Sequence, residues 1–161
     1  MNVLLAIDDS PASAAAIDTV ITEFQPEAAR VLVLHVIAWP RELPACFMFG
    51  EGASAADRVL AAHDQLRRRA ADLVAGAVRR LSTAHFIATA VVVDGDPRTE
   101  ILAMAKRWPA STIVVGSHAR GTMDRIVLGS VSRGVLRRAR CSVLIARPAA
   151  GEGRAAWRSV S

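Results

Sequence analysis

The sequence predicts an α/β protein built on a parallel sheet, and three observations carry that prediction. Short apolar runs rich in Val, Ile and Leu recur along the chain, a segment with helical spacing follows each of the first four, and Pro or Gly punctuates the junctions. Strands that alternate with helices in this way pair in parallel through right-handed crossovers. At 161 residues the chain amounts to one domain, long enough to bury about two-thirds of its unfolded surface.

The first strand is Asn2 to Ile7 (NVLLAI), an unbroken apolar run of the kind found inside a sheet covered on both faces. It ends at Asp8-Asp9-Ser10-Pro11, where Ser10 reads as a helix cap and Pro11 as the first helical residue. Ala14, Ile17, Val20, Ile21 and Phe24 continue at helical spacing until Pro26. Arg30 to Ile37 (RVLVLHVI) is the second strand. The loop from Trp39 to Gly52 carries Phe47 and Phe49, which need a surface to lie on: the sheet edge, a neighbouring subunit, or a ligand beneath a flap.

Ala55 to Leu81 reads as a long helix with Val59, His63, Leu66, Ala70, Leu73, Ala77 and Leu81 on one stripe and arginines on its solvated face. His85 to Val93 is the third strand, and Asp96-Pro97 starts the next helix, which carries Ile101, Leu102, Ala105 and Trp108. Thr112 to Val115 is the fourth strand, Val131 to Ala139 the last helix and Ser142 to Ala146 the fifth strand. Residues 148–161 read as a flexible tail.

The informative stretch runs from Ile113 to Ser132, IVVGSHARGTMDRIVLGSVS. Strand, glycine-punctuated loop and helix start is how an α/β protein holds an anion, because the first N–H groups of a helix lack internal partners and the helix dipole favours negative charge there. Ser130 is expected to cap the helix and to offer its hydroxyl to a phosphate oxygen. Gly116 and Gly129 are expected to let the backbone approach a ligand. Arg120 and Arg125 lie in the loop, where they contact phosphate or solvent. If the first and fourth strands are neighbours, Asp8-Asp9 and the anion loop share one crevice at the carboxyl ends of the strands.

The spacing Gly116, position 119, Gly129, Ser130 resembles the nucleotide-binding signature Gly-x2-Gly-x9-Gly-Ser/Thr of the universal stress protein family, with Ala119 in place of the second glycine. Asp8-Asp9-Ser10, Leu34-His35-Val36, Val93 to Pro97 and Cys141 to Ile145 resemble further pieces of that family in the right order, so the resemblance covers residues 1–147. It implies a three-layer sandwich around a five-stranded parallel sheet of order 3-2-1-4-5. It implies ATP binding by Asp8, Val36, Val115, Gly116, Ala119, Gly129, Ser130, Val131 and Ser132, with Mg²⁺ brought by the phosphates and Asp8 or Asp9 as oxygen ligands for it. It also implies a homodimer, often formed through the last strand, here residues 142–146, an otherwise open edge.

The functional expectation is a dimeric ATP-binding regulator of the stress response without robust catalysis, at most slow ATP hydrolysis or autophosphorylation at Ser130. No catalytic residue is assigned: His118 has no evident orienting acid, and no Gly-x4-Gly-Lys-Ser/Thr loop is present. The alternative is a nucleotide-free, stress-induced protein that acts through protein partners not identified here, for which Ala119 is the argument. A left-handed backbone at position 119 would cost Ala about 1–2 kcal/mol more than Gly. A minor alternative is a nucleic-acid-associated protein, resting only on Arg133, Arg137, Arg138 and Arg140; nucleic acid is not the expected partner. The sequence pI of about 10.8 accompanies a net charge of only +5, because nearly all basic residues are Arg and Tyr is absent. Cys46 and Cys141 have neither metal nor redox spacing and read as reduced thiols, with Cys141 expected to be buried. No run has the length of a membrane span and no signal peptide is read, so a cytoplasmic protein is expected.

Overall fold

Among the described residues, five strands and four helices alternate: β1 (Asn2–Ala6), α1 (Pro11–Glu23), β2 (Arg30–Ile37), α2 (Ala53–Thr83), β3 (Ile87–Asp94), α3 (Pro97–Arg107), β4 (Thr112–Gly116), α4 (Ser130–Arg138) and β5 (Ser142–Ala146). The structure, a computed structural model, describes residues 1–38, 53–117 and 128–147. The loop 39–52, the tail 148–161, Cys46, Ala119, His118, Arg120 and Arg125 lie outside the described residues.

The sheet has the order β3-β2-β1-β4-β5, and every pair is parallel. Alternate side chains of a strand face opposite ways, and the two faces build two cores. Val3, Leu5, Val31, Val33 and Val114 pack with Ala16, Ile17 and Val20 of α1 and with Val74, Ala77 and Leu81 of α2. Leu4, Leu32, Leu34, Ile113 and Val115 pack with Ile101 and Met104 of α3 and with Val135 of α4. The result is the expected three-layer sandwich, helices on both faces of the sheet. The central strands β1 and β4 are buried on both sides, which is why their sequences are unbroken apolar runs.

The differences from expectation lie at element ends. β3 begins at Ile87 rather than His85, because His85 takes a left-handed turn (φ 67°) that reverses the chain out of α2. The helix expected from Val131 starts at Ser130 and ends at Arg138. Cys141 is half-buried rather than buried, since it enters an edge strand with no neighbour beyond it among the described residues. The stripe of α2 holds only in its second half: Ala70, Ala77 and Leu81 are buried, with Val74 in addition, while Leu66 is 40% exposed. A helix of 31 residues runs about 46 Å. A strand of 8 residues runs about 26 Å. The amino-terminal half of α2 therefore overhangs the sheet.

Candidate functional site

The carboxyl ends of β1, β2 and β4 and the starts of α1, α3 and α4 surround one cavity of about 250 Å³. Asp8, Val36, Val115, Gly116, Gly129, Ser130, Val131 and Ser132 all line it, whereas Asp9, the alternative oxygen ligand, is exposed and does not. β1 and β4 are hydrogen-bonded neighbours, which is the condition under which Asp8 and the helix start at Gly129 share a crevice.

Asp8 is held in a knot of serines. Its backbone N–H donates to Ser13 Oγ at 2.7 Å, and the Ser13 hydroxyl donates back to Asp8 Oδ1 at 2.6 Å. The same Oδ1 accepts the Ser10 N–H at 3.1 Å and the Ser10 hydroxyl. Ser10 does occupy the N-cap position of α1, with extended backbone angles, but its side chain makes no cap bond to the helix and serves Asp8 instead. Beside this knot, His35 donates its Nδ1–H to the Ile7 carbonyl at 2.9 Å; the carbonyl can only accept, so Nδ1 carries the proton. That bond ties the ends of β1 and β2 together under the cavity.

Gly116 has a packing role besides the one expected. An added Cβ would lie 2.6 Å from the Ala12 carbonyl oxygen and 2.7 Å from Ala12 Cβ. The missing side chain admits the first turn of α1, and Gly116 also lines the cavity. The Gly116 carbonyl accepts the hydroxyl of buried Ser132 at 2.7 Å, which fixes the start of α4 against the end of β4. Ser117 follows, 3% exposed; its N–H donates to the Ala146 carbonyl at 2.7 Å, and its hydroxyl has no hydrogen-bond partner among the described residues and does not line the cavity.

At α4 the cap is Gly129 (φ −57°, ψ 161°), without a side-chain hydrogen bond, and Ser130 is the first helical residue rather than the cap. This corrects the expected capping role of Ser130 and leaves its exposed hydroxyl at the cavity edge. The three helix starts are not equivalent. At α3, Asp96 accepts the Thr99 N–H and the Thr99 hydroxyl, each at 3.0 Å. Hydrogen bonds from the Arg98 side chain and then from Thr99 hold the Asp96 carboxyl below its usual range. At α1, the Asp8 carboxylate sits in the serine knot beside the first turn. At α4 the first turn has no acidic residue and, among the described residues, no side-chain cap. Of these carboxylates only Asp8 lines the cavity, at the start of α1, so an anion entering it is repelled on that side and attracted by the dipole and the first N–H groups of α4.

Sequence reasoning missed Ser13, whose signal was a serine three residues after the cap in the otherwise apolar first two turns of α1. It also missed the apolar lining from Leu34, Pro97 and Ile101, residues legible only as core. Arg133, Arg137, Arg138 and Arg140 are exposed, and none lines the cavity.

The sequence model of the Universal stress protein family matches residues 1–147. The universal stress protein YxiE of Bacillus subtilis is 29% identical over 150 residues, covering 91% of this chain and 98% of that protein. Among solved structures, hypothetical protein MJ0577 superposes with a TM-score of 0.72 at 23% identity, over 91% of this chain and 94% of that one. A universal stress protein family protein of Arabidopsis thaliana, solved with AMP bound, superposes with a TM-score of 0.65 at 20% identity, over 94% of both chains. Likeness at such identities establishes the fold. The chain belongs to the universal stress protein family.

Proposed function

We propose that this protein binds an adenine nucleotide, ATP in the first place, in the cavity between β1, β4 and α4, and acts as a homodimeric regulator of the stress response. The observation that carries the reading is the inequality of the three helix starts: α3 is capped by Asp96 and α1 begins beside the Asp8 carboxylate, whereas among the described residues the start of α4 has neither a side-chain cap nor a neighbouring carboxylate to compete with a phosphate. The nucleoside end then lies toward Asp8 and Val36, where apolar Leu34, Ile101 and Val115 supply a surface for a base. The AMP in the Arabidopsis relative's structure supports an adenine nucleotide. Mg²⁺ would arrive with the phosphates. Asp8 Oδ1 already accepts three donors, so Asp8 serves as a positioned acceptor rather than as a metal cage. The role assigned is binding, not turnover.

A second reading has one specific observation in its favour, Ala119 at a glycine position of the family signature. On that reading the protein works through partner proteins without nucleotide. Calorimetric titration of ATP with Mg²⁺ into the wild type and into Ala119→Gly separates the two. Micromolar binding by the wild type, tightened by the glycine, supports the regulator. Binding by the glycine variant alone assigns the chain to the nucleotide-free class, and binding by neither contradicts the nucleotide site.

A further inference from the structure

Burial along α2 changes abruptly. From residue 57 to 69 only Val59 and His63 are less than exposed, and Leu60 is 63% exposed, whereas Ala70, Val74, Ala77 and Leu81 are packed on the sheet. Among the described residues the amino-terminal half of the helix thus has no core beneath it, yet a side-chain contact ties it to the sheet. The carboxylate of Asp94 accepts His63 Nε2–H on Oδ1 at 2.8 Å and the Arg67 guanidinium on Oδ2. His63 and Arg67 are one turn apart, so a single helix face presents both. The His63 and Asp94 side chains are 23% and 30% exposed, enough withdrawal from water for the pair to matter.

The position of Asp94 gives this contact a second consequence. It is the last residue of β3 and pairs with Ile37 of β2. The next residue, Gly95, donates its N–H to the Ile37 carbonyl at 3.0 Å and takes φ 151°, a conformation that L side chains rarely adopt. Val36, just before Ile37, and Pro97, just after Asp96, both line the cavity. The tie on α2 and one wall of the cavity therefore share a single tight turn, residues 94–97.

We propose that His63, Arg67 and Asp94 form a clamp that couples the overhanging half of α2 to nucleotide occupancy, with His63 and Arg67 acting as positioning residues for the cavity through the turn at residues 94–97. This coupling rests on the nucleotide reading of the cavity. A carboxylate held by two donors from one helix fixes the turn beyond it. A ligand seated against Val36 and Pro97 favours the same fixed turn. Each then strengthens the other, because coupling between two sites is reciprocal. Occupancy of the cavity is thereby read out as order in residues 57–69, a surface that carries Leu60, Leu66 and several charges away from the site.

Hydrogen exchange measured by mass spectrometry on the full chain, with and without ATP, tests the clamp. In the wild type, ATP slows exchange both at residues 129–132 and in residues 57–69, the latter about fivefold or more. In the double variant His63→Ala/Arg67→Ala, residues 57–69 exchange fast whether or not ATP is present, and the ATP Kd rises about fivefold. Exchange in β1 and β4 stays at the wild-type rate, showing an intact fold. His63→Gln keeps a donor and restores part of the protection. Protection at 129–132 with no change at 57–69, or unaltered ATP affinity in the double variant, overturns the coupling alone. Protection nowhere in the chain overturns the nucleotide reading and the coupling with it.

Discussion

At position 116 an added methyl would lie within 2.6 to 2.7 Å of three Ala12 atoms, two of them backbone. Backbone cannot swing aside as a side chain does, so Gly116→Ala forces β4 and α1 apart. Overpacking of this kind costs about 1–3 kcal/mol. Urea unfolding should therefore show a lower midpoint with an unchanged slope, and an unchanged midpoint would refute the close packing. The glycine itself was legible in the sequence as a special position, but its reason was not. A sequence shows that a Cβ is missing; only the fold shows that Ala12 fills the space. Ser13 is the converse case, a buried polar residue in the apolar first turns of α1 whose purpose becomes visible only in its bonds to Asp8. Asp8, Val36 and Ser132 were legible because the family signature marks them, while the bond from Ser132 to Gly116 is long-range and was not.

Among the elements, local signals read well and boundaries set by distant contacts read poorly. Asp96-Pro97 starts α3 as expected, because a cap and a fixed φ act within one turn. Gly129-Ser130 offers two capping residues in a row, and the helix takes the glycine. The stripe of α2 fails at Leu66 because the sheet beneath it has ended, which no local pattern records. The clamp on that half of α2 carries its own pH signature. Burial pushes the Asp94 carboxyl up, but the hydrogen bonds from His63 and Arg67, with their charges, outweigh it and hold the group below its usual value of 3.8. A carboxyl depressed in the folded state contributes stability that is fully present above the unfolded value and is lost as pH falls through the folded one. The amide NMR signals of residues 57–69 should therefore remain constant down to about pH 4 and change below it. Asp94→Asn should remove that transition; its persistence in the variant would assign it to another group.

The sheet order follows from the family resemblance and from where the chemistry must meet, since Asp8 and Gly116 share a cavity only if β1 and β4 are adjacent. Among the described residues that order leaves β5 with a partner on one side only. A short strand at an open edge is a template for a second chain, so light scattering at micromolar concentration should give twice the chain mass of 17.1 kDa. A mass of one chain would remove the homodimer from the proposed function. No helix among the described residues is long and apolar enough to cross a membrane.

The central claim is that phosphate is held at the start of α4 while the nucleoside faces Asp8 and Val36. Parallel calorimetric titrations of ATP and of adenosine into the wild-type protein test it most directly. Each hydrogen bond to a charged group contributes about 1.5–3 kcal/mol, so loss of the phosphates should weaken binding at least tenfold, the change that about 1.4 kcal/mol produces. Micromolar ATP binding with much weaker adenosine binding is the expected result. Equal affinity for the two would place no phosphate at α4 and would contradict the account.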